Sequence, residues 1–154
     1  MKRTNKFEKI ENKFKNGIYD EMVEISKEST NYFFEYLQSI GCDVMKIISF
    51  YCVLCSLGIG HEKTINNREK QFIKDILRER YYPTALDNAV ENLYQIVDGG
   101  IVGSEYNTVK DLKMLGIEFL EHCLNIILGI AYCDDDINDE VLNKLDETCF
   151  KSWQ

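Results

Sequence analysis

Proline is almost missing from this chain: Pro83 is the only one among 154 residues. With so few breakers, long helices are free to form. Alternating apolar and polar positions are missing too, so no segment reads as a half-buried strand. No apolar run reaches the length of a membrane span. The N-terminal stretch MKRTNKFEKIENKFK is basic but lacks the apolar core and small-residue cleavage site of a signal peptide. The expected compartment is therefore the cytoplasm. Histidine occurs twice, as His61 and His122. Neither gives Ser104 a base that sequence can support, so a nucleophile–base pair is not expected. His61, beside Glu62, could join a metal site, whereas His122 on an apolar helix reads as a core or boundary residue. The stretch GGIVGSE has glycines but no Lys-Ser/Thr and no preceding strand, which makes it a hinge rather than a phosphate loop.

What is present is an ordinary globular composition, 45% hydrophobic and 29% charged, in a length that fits one domain. The net charge of −8 is unevenly placed. Residues 1–82 carry 14 Lys/Arg against 12 Asp/Glu, and residues 83–154 carry 4 against 14. Phosphate neutralisation needs clustered cations, so a duplex-binding surface is not expected in the second half. Cations and basic protein surfaces are its natural partners. The basic-aromatic corner RERYY at 78–82 stands at a helix end, where it matches the helix dipole.

Six cysteines occur, at 42, 52, 55, 123, 133 and 149. Cys52 and Cys55 form a C-x-x-C pair inside IISFYCVLCSLGIG. A redox pair needs an exposed electropositive setting, and a zinc site needs a second pair or nearby histidines. Neither is supplied, so these read as buried, reduced core residues.

Apolar residues recur at three- and four-residue spacing from Tyr19 to Ile40, and Gly41 is placed to end that helix. Asp43 can cap the next, which is apolar on most faces from Val44 to Leu57 and reads as a central buried helix. Asn66 and Glu69 fit a capping box for a helix carrying Phe72, Ile73, Ile76 and Leu77. Pro83 opens another through Val97. One long helix is expected from Glu105 to Tyr132, then a last one from Asn138 or Asp139. The first fifteen residues suggest an amphipathic turn or two. In YFFEY, residues 32–36, aromatics spread around most of the helix, which allows an oligomer or partner surface.

The densest charge lies in AYCDDDINDE, where Asp134, Asp135, Asp136, Asp139 and Glu140 put five carboxylates in seven positions. Such repulsion is offset by water, by a cation or by a basic partner. Hard cations such as Ca²⁺, Mg²⁺ or Mn²⁺ take oxygen ligands of this kind. An EF-hand is excluded, because its sixth place would be Asp139 instead of Gly and its twelfth Leu145 instead of Glu. A cation would have to be shared with another segment. Aligned at an offset of 72 residues, HEKTINNRE (61–69) lies on CDDDINDEV (133–141), offering Glu62 and Glu69. Without a ligand, the acids still fit a solvated helix start favoured by the dipole.

The repeated helix–acidic loop–helix unit resembles the TerB-like (tellurite-resistance protein B) family of small all-helical proteins. That family's motif is an apolar helix ending in Ala-x-Ala-Asp-Gly-x-Ile, then three residues and a Glu. Here Ala131, Asp134 and Ile137 stand in a matching frame, Asp135 replaces the Gly, and Glu140 comes one residue early. In the first copy Glu62-Lys63-Thr64-Ile65 takes the place of Asp-Gly-x-Ile, with Glu69 at the expected Glu position. The resemblance covers about residues 44–150. It implies a pseudo-symmetric helical bundle, an association with tellurite or chemical stress and phage or colicin resistance, and divalent-metal binding through the acids. No catalytic activity is established for the family.

The sequence thus predicts an all-α bundle of about six to seven helices, compact overall, with residues 1–42 an added helical segment and 43–154 the TerB-like core. The expected role is non-catalytic: binding a divalent cation or a protein partner through the acidic loops, with no nucleic acid. The alternative is a metal-free interaction module, dimeric in one form, docking a basic protein surface.

Overall fold

The computed structural model describes residues 2–60, 64–80, 83–98, 101, 103–134 and 137–151, with residues 83–85 described by backbone alone. Among these the chain forms α1 (Asn5–Lys15), α2 (Tyr19–Ser39), α3 (Val44–Ile59), α4 (Asn67–Leu77), α5 (Pro83–Val97), α6 (Glu105–Lys113), α7 (Ile117–Tyr132) and α8 (Asp139–Asp146). A π-helical turn, Glu147–Lys151, closes it. The described residues contain no strand, and none of their helices is long and apolar enough to cross a membrane.

Local signals set most boundaries. Asp43 accepts the Met45 N–H to cap α3, and Asn66 with Glu69 forms a full capping box on α4. Asn138 caps α8 by accepting from Val141 N. Thr4 caps α1, whose Phe7, Ile10 and Phe14 are buried, so the N-terminal segment is a full three-turn helix. The chain reverses after α2 at Gly41, where φ is +89°.

The long helix expected from Glu105 to Tyr132 is two helices. They part at Met114–Gly116, where Gly116 takes φ +111°, a left-handed value that a glycine adopts without strain. The apolar periodicity runs through the break, because Leu112 and Phe119 on either side both face the core. Helix α3 also departs from expectation. Its second half is almost wholly buried, but in the first half only Ile47 and Tyr51 are; Val44 is 51% and Met45 70% exposed.

Helix α7 is the axis of the bundle, buried from Leu124 through Ala131 and packed most extensively on α2 and α3. Glycines permit the closest approaches. A Cβ on Gly58 of α3 would lie 2.6 Å from Ile130 Cβ and 2.9 Å from Ile127 O. One on Gly129 of α7 would collide with Ser26 Oγ of α2 and stand 2.9 Å from Phe72 Cζ of α4. Helices α1 and α2 are therefore part of the packed core, since both lie along α7.

The chain start is fastened by buried carboxylates. Glu11, fully buried, receives Arg3 at 2.7 Å and the Tyr132 hydroxyl. Asp146, also fully buried, accepts from Thr4 N at 2.8 Å and Thr4 Oγ1 at 2.7 Å. Burial works against the Arg3 charge, but the hydrogen bond and charge of Glu11 outweigh it and raise its pKa.

Candidate functional site

The start of α4 meets the end of α7. Asn66 uses its Oδ1 to accept from Glu69 N at 2.8 Å and its Nδ2 to donate to Asp134 Oδ2 at 2.5 Å. Arg68 Nε adds a bond to Cys133 O at 3.1 Å. The contact is reciprocal: Gly60, ending α3, lies against Asn138, which caps α8 and stands 72 residues after Asn66. The starts of α4 and α8 are thus seated on the ends of the apolar helices α7 and α3.

Of the predicted ligands, Glu62, Asp135 and Asp136 lie outside the described residues, as does His61. The remaining four take separate positions. Asp134 is engaged by Asn66. Glu69 is 2% exposed and turned back to accept Asn66 N at 3.0 Å, which closes the capping box. Asp139 accepts both Arg3 guanidinium nitrogens at 3.3 Å, tying α8 to the chain start. Glu140 is exposed in the first turn of α8, where the dipole favours it. Among the described residues no three His, Cys, Asp or Glu side chains form a group that could hold a metal ion.

The cysteines are unpaired. Burial pushes the Cys52 thiol up to about 11 and Cys55 well above the usual thiol range, so neither ionises readily. His122 is half-buried, stacked on Tyr32 with ring centroids 4.0 Å apart, and its Nδ1 lies 2.9 Å from Ser29 Oγ. Of the YFFEY aromatics, Phe33 and Phe34 are in the core, while Tyr32 and Tyr36 are partly exposed and Tyr36 packs on Phe119. At the basic corner Arg80 sits 4.6 Å from the centre of the Phe34 ring, while Tyr81 and Tyr82 lie outside the described residues.

One apolar surface lies between α3 and α5. A cleft of about 340 Å³ has Met45, Ile48 and Cys52 on one wall and Ala89, Leu93 and Ile96 on the other. Phe34, Tyr51 and Leu77 form its floor, and Asn92 is polar on its edge. Met45 is 70% and Ile96 64% exposed, and Ile40 and Val44 are exposed nearby in the chain. The Tyr51 hydroxyl is bonded to Thr30 Oγ1 at 2.9 Å, away from acid–base work. Sequence reasoning missed this cleft, though two signals pointed to it. Helix α3 is apolar on more faces than one core can cover, and Ile96 stands off the Leu86–Val90–Leu93–Val97 stripe.

No family model matches the chain, and neither does a curated protein or a solved structure.

Proposed function

We propose that this protein is a non-catalytic helical interaction module that seats an apolar helical segment of a partner protein in the α3–α5 cleft. The observation that carries this is the pair of exposed side chains, Met45 and Ile96, on facing walls of an apolar cleft. Large aliphatic groups so exposed lose free energy to water, and a partner's apolar face would recover it. From Met45 to Cys52 the wall is about 10 Å long at 1.5 Å rise per residue. That accommodates two turns of helix, read as anchors at i, i+3 or i+4, and i+7. Among the described lining residues the titratable groups are the Cys52 thiol, held protonated by burial, and the Tyr51 hydroxyl, bonded to Thr30, which favours binding over chemistry. The TerB-like resemblance of the loops supports a setting in stress response or phage defence.

The test is a photo-crosslinking residue at Ile96, compared with one at Glu91 on the same helix. A discrete adduct at 96, missing at 91 and abolished by Met45→Glu, is the expected result. Equal adducts at both positions, or none, would defeat the reading.

One observation favours a second reading, a divalent cation between the loops: the start of α4 does meet the end of α7, at Asn66 and Asp134. Against it, Asp134, Glu69 and Asp139 each hold an internal donor. Millimolar Ca²⁺, Mg²⁺ or Mn²⁺ added to chelator-treated protein should raise the melting temperature by several degrees if a cation is held, and Asp134→Asn should remove that rise. An unchanged melting temperature leaves the metal-free module.

A further inference from the structure

The chain is acidic overall, and its second half has only four cations: Lys110, Lys113, Lys144 and Lys151. The fold gathers all four. Lys110, Lys144 and Lys151 line one shallow depression, while Lys113 lines the next, together with Lys6 of α1. The two are joined where Lys113 Nζ donates to Thr148 O at 2.9 Å. A third depression adjoins through Lys6, Ile117 and Phe150 and adds Lys9 and Lys13. On α1 the spacing 6, 9, 13 sets these lysines along one side, next to the buried stripe of Phe7, Ile10 and Phe14. The three depressions are lined by seven lysines against two acids, Glu121 and Glu147.

Between the lysines stands an apolar turn. Met114 is 74% and Ile117 56% exposed, on either side of the reversal at Gly116 that separates α6 from α7. Asp111 and Glu118 are exposed on the adjoining turns, so the charge is mixed at the edges of this face.

We infer that this face docks on an anionic phospholipid surface, with Lys6, Lys9, Lys13, Lys110 and Lys113 against the headgroups and Met114 and Ile117 entering the interface. The pairing of charge with exposed aliphatic side chains decides the occupant. Lysines alone suit any polyanion, but a single-stranded nucleic acid would need aromatic platforms for its bases. Among the described residues the one ring lining these depressions is Phe150, itself set edge-on to Phe7 at 6.4 Å. The cations are lysines throughout, point charges without the fork geometry of Arg. A bilayer interface rewards both features at once, apolar insertion and basic charge. The net charge of −8 does not prevent this, since a Debye length of about 8–10 Å screens acids farther than that from the lipid.

The test is flotation of the purified chain with phosphatidylcholine vesicles, with and without phosphatidylglycerol. Retention should require the anionic lipid and fall as salt rises. Lys6→Gln/Lys9→Gln/Lys13→Gln should weaken it roughly ten- to 100-fold, and the corresponding Lys→Arg variant should restore it. Met114→Asp/Ile117→Asp should weaken it several-fold while leaving the melting temperature in place, since both side chains are already in water. Equal retention on neutral vesicles, or none on anionic ones, would overturn the inference. So would retention indifferent to Met114→Asp/Ile117→Asp and competed by soluble oligonucleotide or polyglutamate, which would assign the face to a dissolved polyanion.

Discussion

Asn66 Nδ2 lies 2.5 Å from Asp134 Oδ2, joining the start of α4 to the end of α7, 68 residues apart in the chain. The same amide caps α4 through its oxygen, so one side chain serves both the local helix start and the long-range contact.

This double role makes Asn66 costlier to lose than an ordinary cap. Asn66→Ala removes the acceptor for Glu69 N and the donor to Asp134, and should destabilise by about 2–3 kcal/mol. Asn138→Ala, which breaks the equivalent cap on α8, should cost about 1 kcal/mol. Urea unfolding of the two variants checks the order. A double-mutant cycle with Asp134→Ala should show a coupling of at least about 0.5 kcal/mol.

Glycine in a helix normally gives way to alanine with a gain of about 0.5–1 kcal/mol. At Gly58 the sign should reverse. The new methyl would meet Ile130 Cβ at 2.6 Å and the Ile127 carbonyl at 2.9 Å, and a helix backbone cannot yield cheaply. Gly58→Ala is expected to lower stability by about 1–3 kcal/mol, measured by chemical denaturation.

Arg3 is the main counter-charge of fully buried Glu11, with Lys15 farther off at 3.8 Å. Arg3→Ala should therefore destabilise by about 3 kcal/mol, because an uncompensated carboxylate stays inside. Arg3→Ala/Glu11→Gln should recover part of that loss, as seen by thermal melts. If the single and double variants melt alike, the pair is not what fastens the chain start.

His122 is held below the ordinary histidine pKa of 6.5, chiefly by burial. Glu118, Glu28 and Glu121 push it upward, and Lys13 adds to the lowering. Protonation thus favours the unfolded chain first: the stability is present above 6.5 and is lost as pH falls through the folded value. His122→Gln should flatten the stability–pH curve just below 6.5 relative to the native sequence. Parallel curves for the two proteins would show that His122 does not titrate in this window.

The helix starts were legible because a cap closes within a few residues. Asp43, Asn66 with Glu69, and Asn138 each bond an N–H two or three places on, and α5 begins at Pro83, where proline is favoured in a first turn. The inward faces of α1, α4 and α8 followed from spacing alone, as Phe7, Ile73 and Leu145 show by being wholly buried. The break at Gly116 was not legible. A lone glycine is tolerated in a helix, and the apolar period continues across it in Leu112 and Phe119.

Of the candidate acids, the sequence could say where charge is dense but not what each carboxylate would meet. Glu69 turning to its own cap was within reach of the sequence, but Asp139 taking Arg3 and Asp134 taking Asn66 depend on partners brought close by packing. The same holds for the lysine face, where cations 6 and 151 belong to one surface only because the chain ends fold together around Phe7 and Phe150. Amino-acid order by itself determined the all-helical character and the capped helix starts, since those are settled within a turn of backbone. Which side chains share a surface was decided by tertiary structure, because the hydrophobic effect that drives packing is non-directional and only the close fit of α2, α3 and α7 selects one arrangement.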